Sequence, residues 1–163
     1  MLLYNEKRKN SCINTHTSEF ILMLMIIFCE FRAAIPKNYG IAYLNIIVSL
    51  KSPYSVAELE NFILTVFKKC YSEQHKDDDS TALETHFNVK GYTNASSGLK
   101  FIFVSRSPDK GYRIVPSNRA KCHYTHIEKK AVSIKLKYSN GDIAEAFNKV
   151  LIHSKLGRFP DYT

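Results

Sequence analysis

Two stretches of the chain carry apolar residues at helical spacing. Val56, Leu59, Phe62, Ile63, Val66, Phe67 and Cys70 recur every three or four positions, which is one face of an α-helix. Ser55 and Glu58 stand three apart just before that run, a capping box that sets the helix start at Val56. Lys68 and Lys69 at its far end complement the negative end of the helix dipole. A second amphipathic helix is predicted within 139–155, with Ile143, Ala146, Phe147, Val150 and Leu151 as its buried stripe. Gly157 and Pro160 supply a C-cap and a stop.

Elsewhere the period changes to two, or the run is apolar throughout. "IAYLNIIVSL" at 41–50 is apolar on both faces and predicts a central strand. "THFNVKGY" at 85–92 alternates, with Phe87 and Val89 inward and His86, Asn88, Lys90 and Tyr92 outward. "LKFIFVS" at 99–105 and "YRIVP" at 112–116 flank the turn signal "SPDKG" at 107–111 and predict a hairpin. "AVSIKLKY" at 131–138 puts Val132, Ile134, Leu136 and Tyr138 on one face and Ser133, Lys135 and Lys137 on the other. "EQHKDDDSTAL" at 73–83 is a polar connection: its three aspartates lack the alternation and turn glycine of a calcium loop. The predicted order is (α)βαβββ(β)βα. This is the α+β class, a two-layer sandwich of a mainly antiparallel sheet of about five strands with two amphipathic helices on one face.

Residues 20–29, "FILMLMIIFC", are uninterruptedly apolar and follow the basic "KRK" at 7–9. Ala33 and Ala34 supply the small residues of a cleavage site. These are the parts of an export signal or membrane anchor, with membrane contact through 20–29; a buried first helix is the competing expectation. Ten residues are too few to cross a bilayer as a helix, which takes about 20. The expected organisation is a signal, anchor or N-terminal helix over 1–34 and a single domain over 35–163, with an exported or membrane-associated location slightly favoured. Loss of 1–34 would leave Cys70 and Cys122 of the four cysteines. A bond between them would contribute roughly 2–4 kcal/mol, but Cys70 sits on the apolar stripe, where a buried free thiol is expected. "NAS" at 94–96 is a glycosylation sequon, meaningful in a secreted eukaryotic protein.

Charge changes the picture most. The net charge is +8 over 163 residues. Lys100, Arg106, Lys110, Arg113, Arg119, Lys121, Lys129, Lys130, Lys135 and Lys137 face only Asp109 and Glu128 within 100–137, so this segment holds the whole excess. A field concentrated in this way favours an acidic partner.

The densest chemistry lies in "KCHYTHIEKK" at 121–130. Zinc needs three or four ligands on one point. In an extended segment His123 and His126 point apart, and Cys122 and His126 stand about 13 Å apart, so no metal or other cofactor is predicted. Cys122 and His123 are the weak catalytic candidates. Neighbours diverge in a strand, so Cys122 would need a distant partner such as His86 or His153. "HYTH" resembles one H-x-T element of the two-histidine phosphoesterases, which implies a phosphate held between His123 and Thr125. Neither "HFN" at 86–88 nor "HSK" at 153–155 completes the second element that family uses.

The favoured reading is a small non-enzymatic interaction module with a basic surface for an acidic protein partner, drawn from Lys90, Tyr92, Arg113, Lys121, Lys129, Lys130, Lys135 and Lys137. Two alternatives stand beside it. One is a nucleic-acid-binding domain using the same surface, with Tyr92 and Tyr124 as stacking rings. The other is a small hydrolase centred on His123.

Overall fold

The computed structural model describes residues 16–23, 26–35, 40–69, 80–120 and 123–155, with side chains for 46–69, 80–118 and 124–155. The strands are β1 (His16–Met23), β2 (Ile26–Ile35), β3 (Gly40–Lys51), β4 (Lys100–Ser107), β5 (Gly111–Ala120), β6 (His123–His126) and β7 (Val132–Ile134). They form one antiparallel sheet in the order β3-β2-β1-β4-β5-β6, with β7 also on β5. The helices are α1 (Val56–Lys69), α2 (Ala82–Phe87), α3 (Tyr92–Ala95) and α4 (Asp142–Leu151). The α+β class and the antiparallel sheet are as expected. Among the described residues the sheet has seven strands, two of them short.

α1 and α4 pack together on one face of the sheet. Leu59, Ile63, Val66 and Phe67 of α1 and Ile143, Ala144, Ala146, Phe147 and Val150 of α4 close over Ile102, Val104, Tyr112 and Ile114. α1 starts where the sequence places it: Ser55 and Glu58 exchange side-chain and backbone hydrogen bonds, with the Ser55 amide donating to Glu58 Oε2 at 2.7 Å. α4 is capped from outside its own sequence. The buried Glu60 carboxylate of α1 accepts from the amides of Gly141 (2.8 Å) and Ile143 (3.0 Å). After α4, the Ser154 hydroxyl lies 2.9 Å from the Phe101 carbonyl and 3.1 Å from that of Ser117, which holds the chain against the end of the β4–β5 pair.

The opposite face is partly covered by α2 and α3. Leu83, Ala95, Leu99 and Phe101 form a second core, joined by Ile47, Phe87, Tyr92 and Tyr124. This corrects the strand expected at 85–92. Thr81 and Glu84 make a complete capping box, Asn88 ends α2 in the left-handed conformation (φ 51°), and Glu84 Oε1 also accepts from the Gly91 amide at 2.6 Å. The helical cap outweighs the two-residue alternation, which extends over too few residues to hold a strand with no sheet neighbour.

Three other expectations change. Residues 16–23 and 26–35 are the antiparallel strands β1 and β2, with Met23 opposite Ile26, in place of a first helix. Their Ile and Phe content suits a strand, and β1 pairs with β4 from Leu22↔Lys100 to His16↔Arg106. Among the described residues no helix is long and apolar enough to cross a membrane. β3, read as central, stands at the end of the sheet among the described residues. β7 stops at Ile134, so Lys135, Leu136 and Lys137 leave the sheet; Leu136, expected inward, is exposed. The four cysteines contribute no described side chain, and Gly157 and Pro160 lie outside the described residues.

Candidate binding surface

β5 is ten residues long, and its two ends have different neighbours on the side away from β4. Tyr112–Ile114 pair with β7, and Ser117–Ala120 pair with β6. Between those pairings the chain spends residues 127–131 passing Val115 and Pro116. Pro116 has no N–H to continue a ladder. Its carbonyl still accepts from Ile127 N at 2.8 Å. The intervening residues bulge out as a single 3-10 turn, Glu128–Lys130, closed by Lys130 N to Ile127 O at 2.9 Å. The basic run of the sequence is thereby lifted off the sheet edge. Lys129 and Lys130 are exposed on the turn, and Lys135 and Lys137 are exposed just past β7.

Arg113 and Glu128 fix this turn to the sheet. Alternation along β5 sends Tyr112 and Ile114 into the first core, which puts Arg113 on the other face. There its guanidinium donates to Glu128 Oε2. That hydrogen bond and the adjacent positive charge hold the Glu128 carboxyl below the usual range, so it stays anionic. The His126 ring stacks on Phe103 at 4.7 Å and sets Nδ1 3.9 Å from Glu128 Oε1. Glu128 is thus engaged by its own chain, while Lys129 and Lys130, which follow it, are exposed to solvent.

Lys110, counted in the basic excess of 100–137, joins this group. Gly111 (φ +85°) brings the β4–β5 turn so close to the end of β7 that a Cβ at 111 would lie 2.2 Å from the Ile134 carbonyl oxygen and 2.8 Å from the Lys135 carbonyl carbon. Lys110 and Lys135 are therefore neighbours across that contact. Arg106 is on the other side of the sheet, its guanidinium carbon 5.9 Å from the centre of the Tyr112 ring. The Tyr112 hydroxyl is pushed up to about 12 by burial, then by its hydrogen bond to Tyr138.

Two of the predicted surface residues do not join this edge. Lys90 is exposed in the link between α2 and α3, and Tyr92 packs into the second core. Tyr124 is likewise engaged: its ring centre lies 3.7 Å from that of Phe101, and its hydroxyl donates to the Ser96 carbonyl at 3.1 Å. Lys121 and Cys122 lie outside the described residues. His123 is the register partner of Ala120 in β6, but the described side chains of that strand begin at Tyr124. Thr125 is exposed, its hydroxyl 3.4 Å from the Asn118 carbonyl. His86 is exposed against Phe87 on α2. Among the described residues no three His, Cys or carboxylate groups converge.

No family model matches the chain, and no curated protein matches it. Solved structures do share the fold. One is a protein of unknown function, NMB0488 from Neisseria meningitidis, with a TM-score of 0.64 and 10% identity over 86% of this chain and 96% of that one. Another is a chain of the CdiA-CT/CdiI toxin and immunity complex from Yersinia pseudotuberculosis, with a TM-score of 0.63 and 11% identity over 88% and 99%. At these identities the likeness is one of fold.

Proposed function

We propose that this protein is a small binding module that meets an acidic protein partner through the interrupted edge made by β6, the 3-10 turn and β7. The observation that carries this reading is the placement of exposed Lys129, Lys130, Lys135 and Lys137 along one edge, with Glu128 held by Arg113. Charges so arranged raise the rate of encounter with an acidic surface and select against basic ones. The occurrence of the fold in a toxin and immunity complex supports a protein as the partner. The engagement of Tyr92 and Tyr124 in the second core argues the same way, since a single-stranded nucleic acid needs free rings on which to stack.

The test is affinity capture from the native host with the wild-type chain as bait at low and high salt. A stable protein complex that weakens as salt rises is expected. Capture of nucleic acid alone, or of no protein at either salt, would contradict the proposal.

A further inference from the structure

We infer that Asn140–Gly141 is a deamidation site, and that the Glu60 carboxylate keeps it closed while α4 is docked. It is the chain's one Asn-Gly pair. A glycine after asparagine leaves the attacking nitrogen unshielded, because no Cβ stands beside it. Asn140 is exposed, so water can reach its side-chain amide.

The reaction consumes only water. Gly141 N gives up its proton and attacks Asn140 Cγ. The new C–N bond closes a succinimide ring, the bond from Cγ to the side-chain nitrogen breaks, and that nitrogen leaves as ammonia, taking a proton. One water then opens the ring. Opening at Cγ leaves an aspartate at 140. Opening at the main-chain carbonyl leaves an isoaspartate, whose backbone runs through Cβ and Cγ and is one carbon longer.

Contacts of the folded chain oppose the first step. The Gly141 amide donates to Glu60 Oε1 at 2.8 Å. A hydrogen bond from the N–H to a carboxylate favours the protonated amide, and a negative charge beside it opposes formation of the amide anion. The turn around the pair is closed twice: Asp142 N donates to the Ser139 carbonyl at 3.2 Å, and Ser139 N donates to Asp142 Oδ2 at 2.8 Å. The Gly141 carbonyl accepts from Glu145 N at 2.9 Å, which begins the α4 ladder. Turning Gly141 N toward Asn140 Cγ takes its N–H away from Glu60 and the 140–141 peptide out of this turn. The site therefore reacts when the start of α4 opens. Once isoaspartate has formed, the added carbon keeps Gly141 from returning to Glu60, and α4 loses its cap.

The experiment ages the full chain at mildly alkaline pH, folded and unfolded in guanidinium, and follows residue 140 by peptide mapping with mass spectrometry. Glu60→Gln, which keeps an acceptor and removes the charge, is checked for folding by circular dichroism and aged alongside. Hydrogen exchange of the wild-type Gly141 amide reads the same deprotonation without mutation. Aspartate and isoaspartate should accumulate at 140 about tenfold more slowly in the folded chain than in the unfolded one, with Gly141 exchange slowed to a similar degree. Folded Glu60→Gln should react faster than the folded wild type, and the isoaspartate form, separated by ion exchange, should unfold at lower urea than the unaged chain. Equal rates at 140 in the folded and unfolded chain, equal rates in the wild type and folded Glu60→Gln, Gly141 exchange as fast as in the unfolded chain, or an isoaspartate form as stable as the unaged chain would each overturn the inference.

Discussion

Arg113 donates to Glu128 across fifteen residues of sequence, and the bond decides the charge of the surface it spans. It ties the 3-10 turn to β5 and consumes the acid nearest to Lys129 and Lys130. Glu128→Gln should therefore lower the melting temperature only slightly, since the pair is solvent-exposed. It should also steepen the salt dependence of binding to an acidic partner, because a positive charge is released. Thermal melts and affinities at several ionic strengths check both parts.

The tertiary cap on α4 predicts a larger effect on stability. Glu60 satisfies two amides at the start of α4, where Gly141 offers no side chain of its own. Glu60→Ala leaves both without a partner in a buried place and should cost about 1–3 kcal/mol in denaturant unfolding. Glu60→Gln, which keeps an acceptor, should cost less. Equal losses would show that the carboxylate does not act as a cap.

Gly111 is the position least able to accept a side chain. Its positive φ and the Ile134 carbonyl in the path of a Cβ make Gly111→Ala incompatible with the β5–β7 pairing. A loss of roughly 1–3 kcal/mol from backbone strain is expected, with further loss of β7 protection in hydrogen exchange. Retention of that protection would contradict the described contact.

Acid should destabilise the fold, and the sign follows from four carboxyls. Glu58 and Glu84 are held down by hydrogen bonds from Ser55 and Thr81, Asp109 by the Ser107 hydroxyl, and Glu128 by Arg113. Each binds its proton more weakly folded than unfolded. Their stabilisation is complete above the ordinary carboxylate range and falls as pH drops through the lowered folded values. Urea midpoints measured from pH 7 to pH 3 should decline most steeply below the ordinary Glu value of 4.5, and Ser55→Ala/Thr81→Ala should flatten that decline.

Much of this fold was legible where local and tertiary signals agree. The box at Ser55–Glu58 and the stripes of α1 and α4 announced both long helices, and "SPDKG" announced the β4–β5 turn. The errors came where two signals compete. Thr81–Glu84 carries the same cap signature as Ser55–Glu58 but sits in a polar stretch, and the alternation of Phe87 and Val89 hid the helix it starts. Residues 20–29 are apolar all round and lack a period, so only the pairing of 20–23 and 26–29 to β4 and β3 makes those residues strands. β3 looked central because both its faces are apolar in sequence, and an apolar pattern does not reveal which edges are paired. At the binding surface the lysines were readable as a charge excess. That Pro116 would force them out as a bulge, that Lys110 would join them and that Tyr92 would leave them depended on contacts far apart in sequence.

The central claim is that exposed lysines along the β6–β7 edge bind an acidic protein. Its most direct test is the affinity of the captured partner, by titration calorimetry, for the wild type and for a folded Lys129→Glu/Lys130→Glu/Lys135→Glu variant. A loss of at least tenfold in affinity, with most of the wild-type advantage erased at high salt, is predicted. Equal affinity of the two proteins at low salt would contradict it.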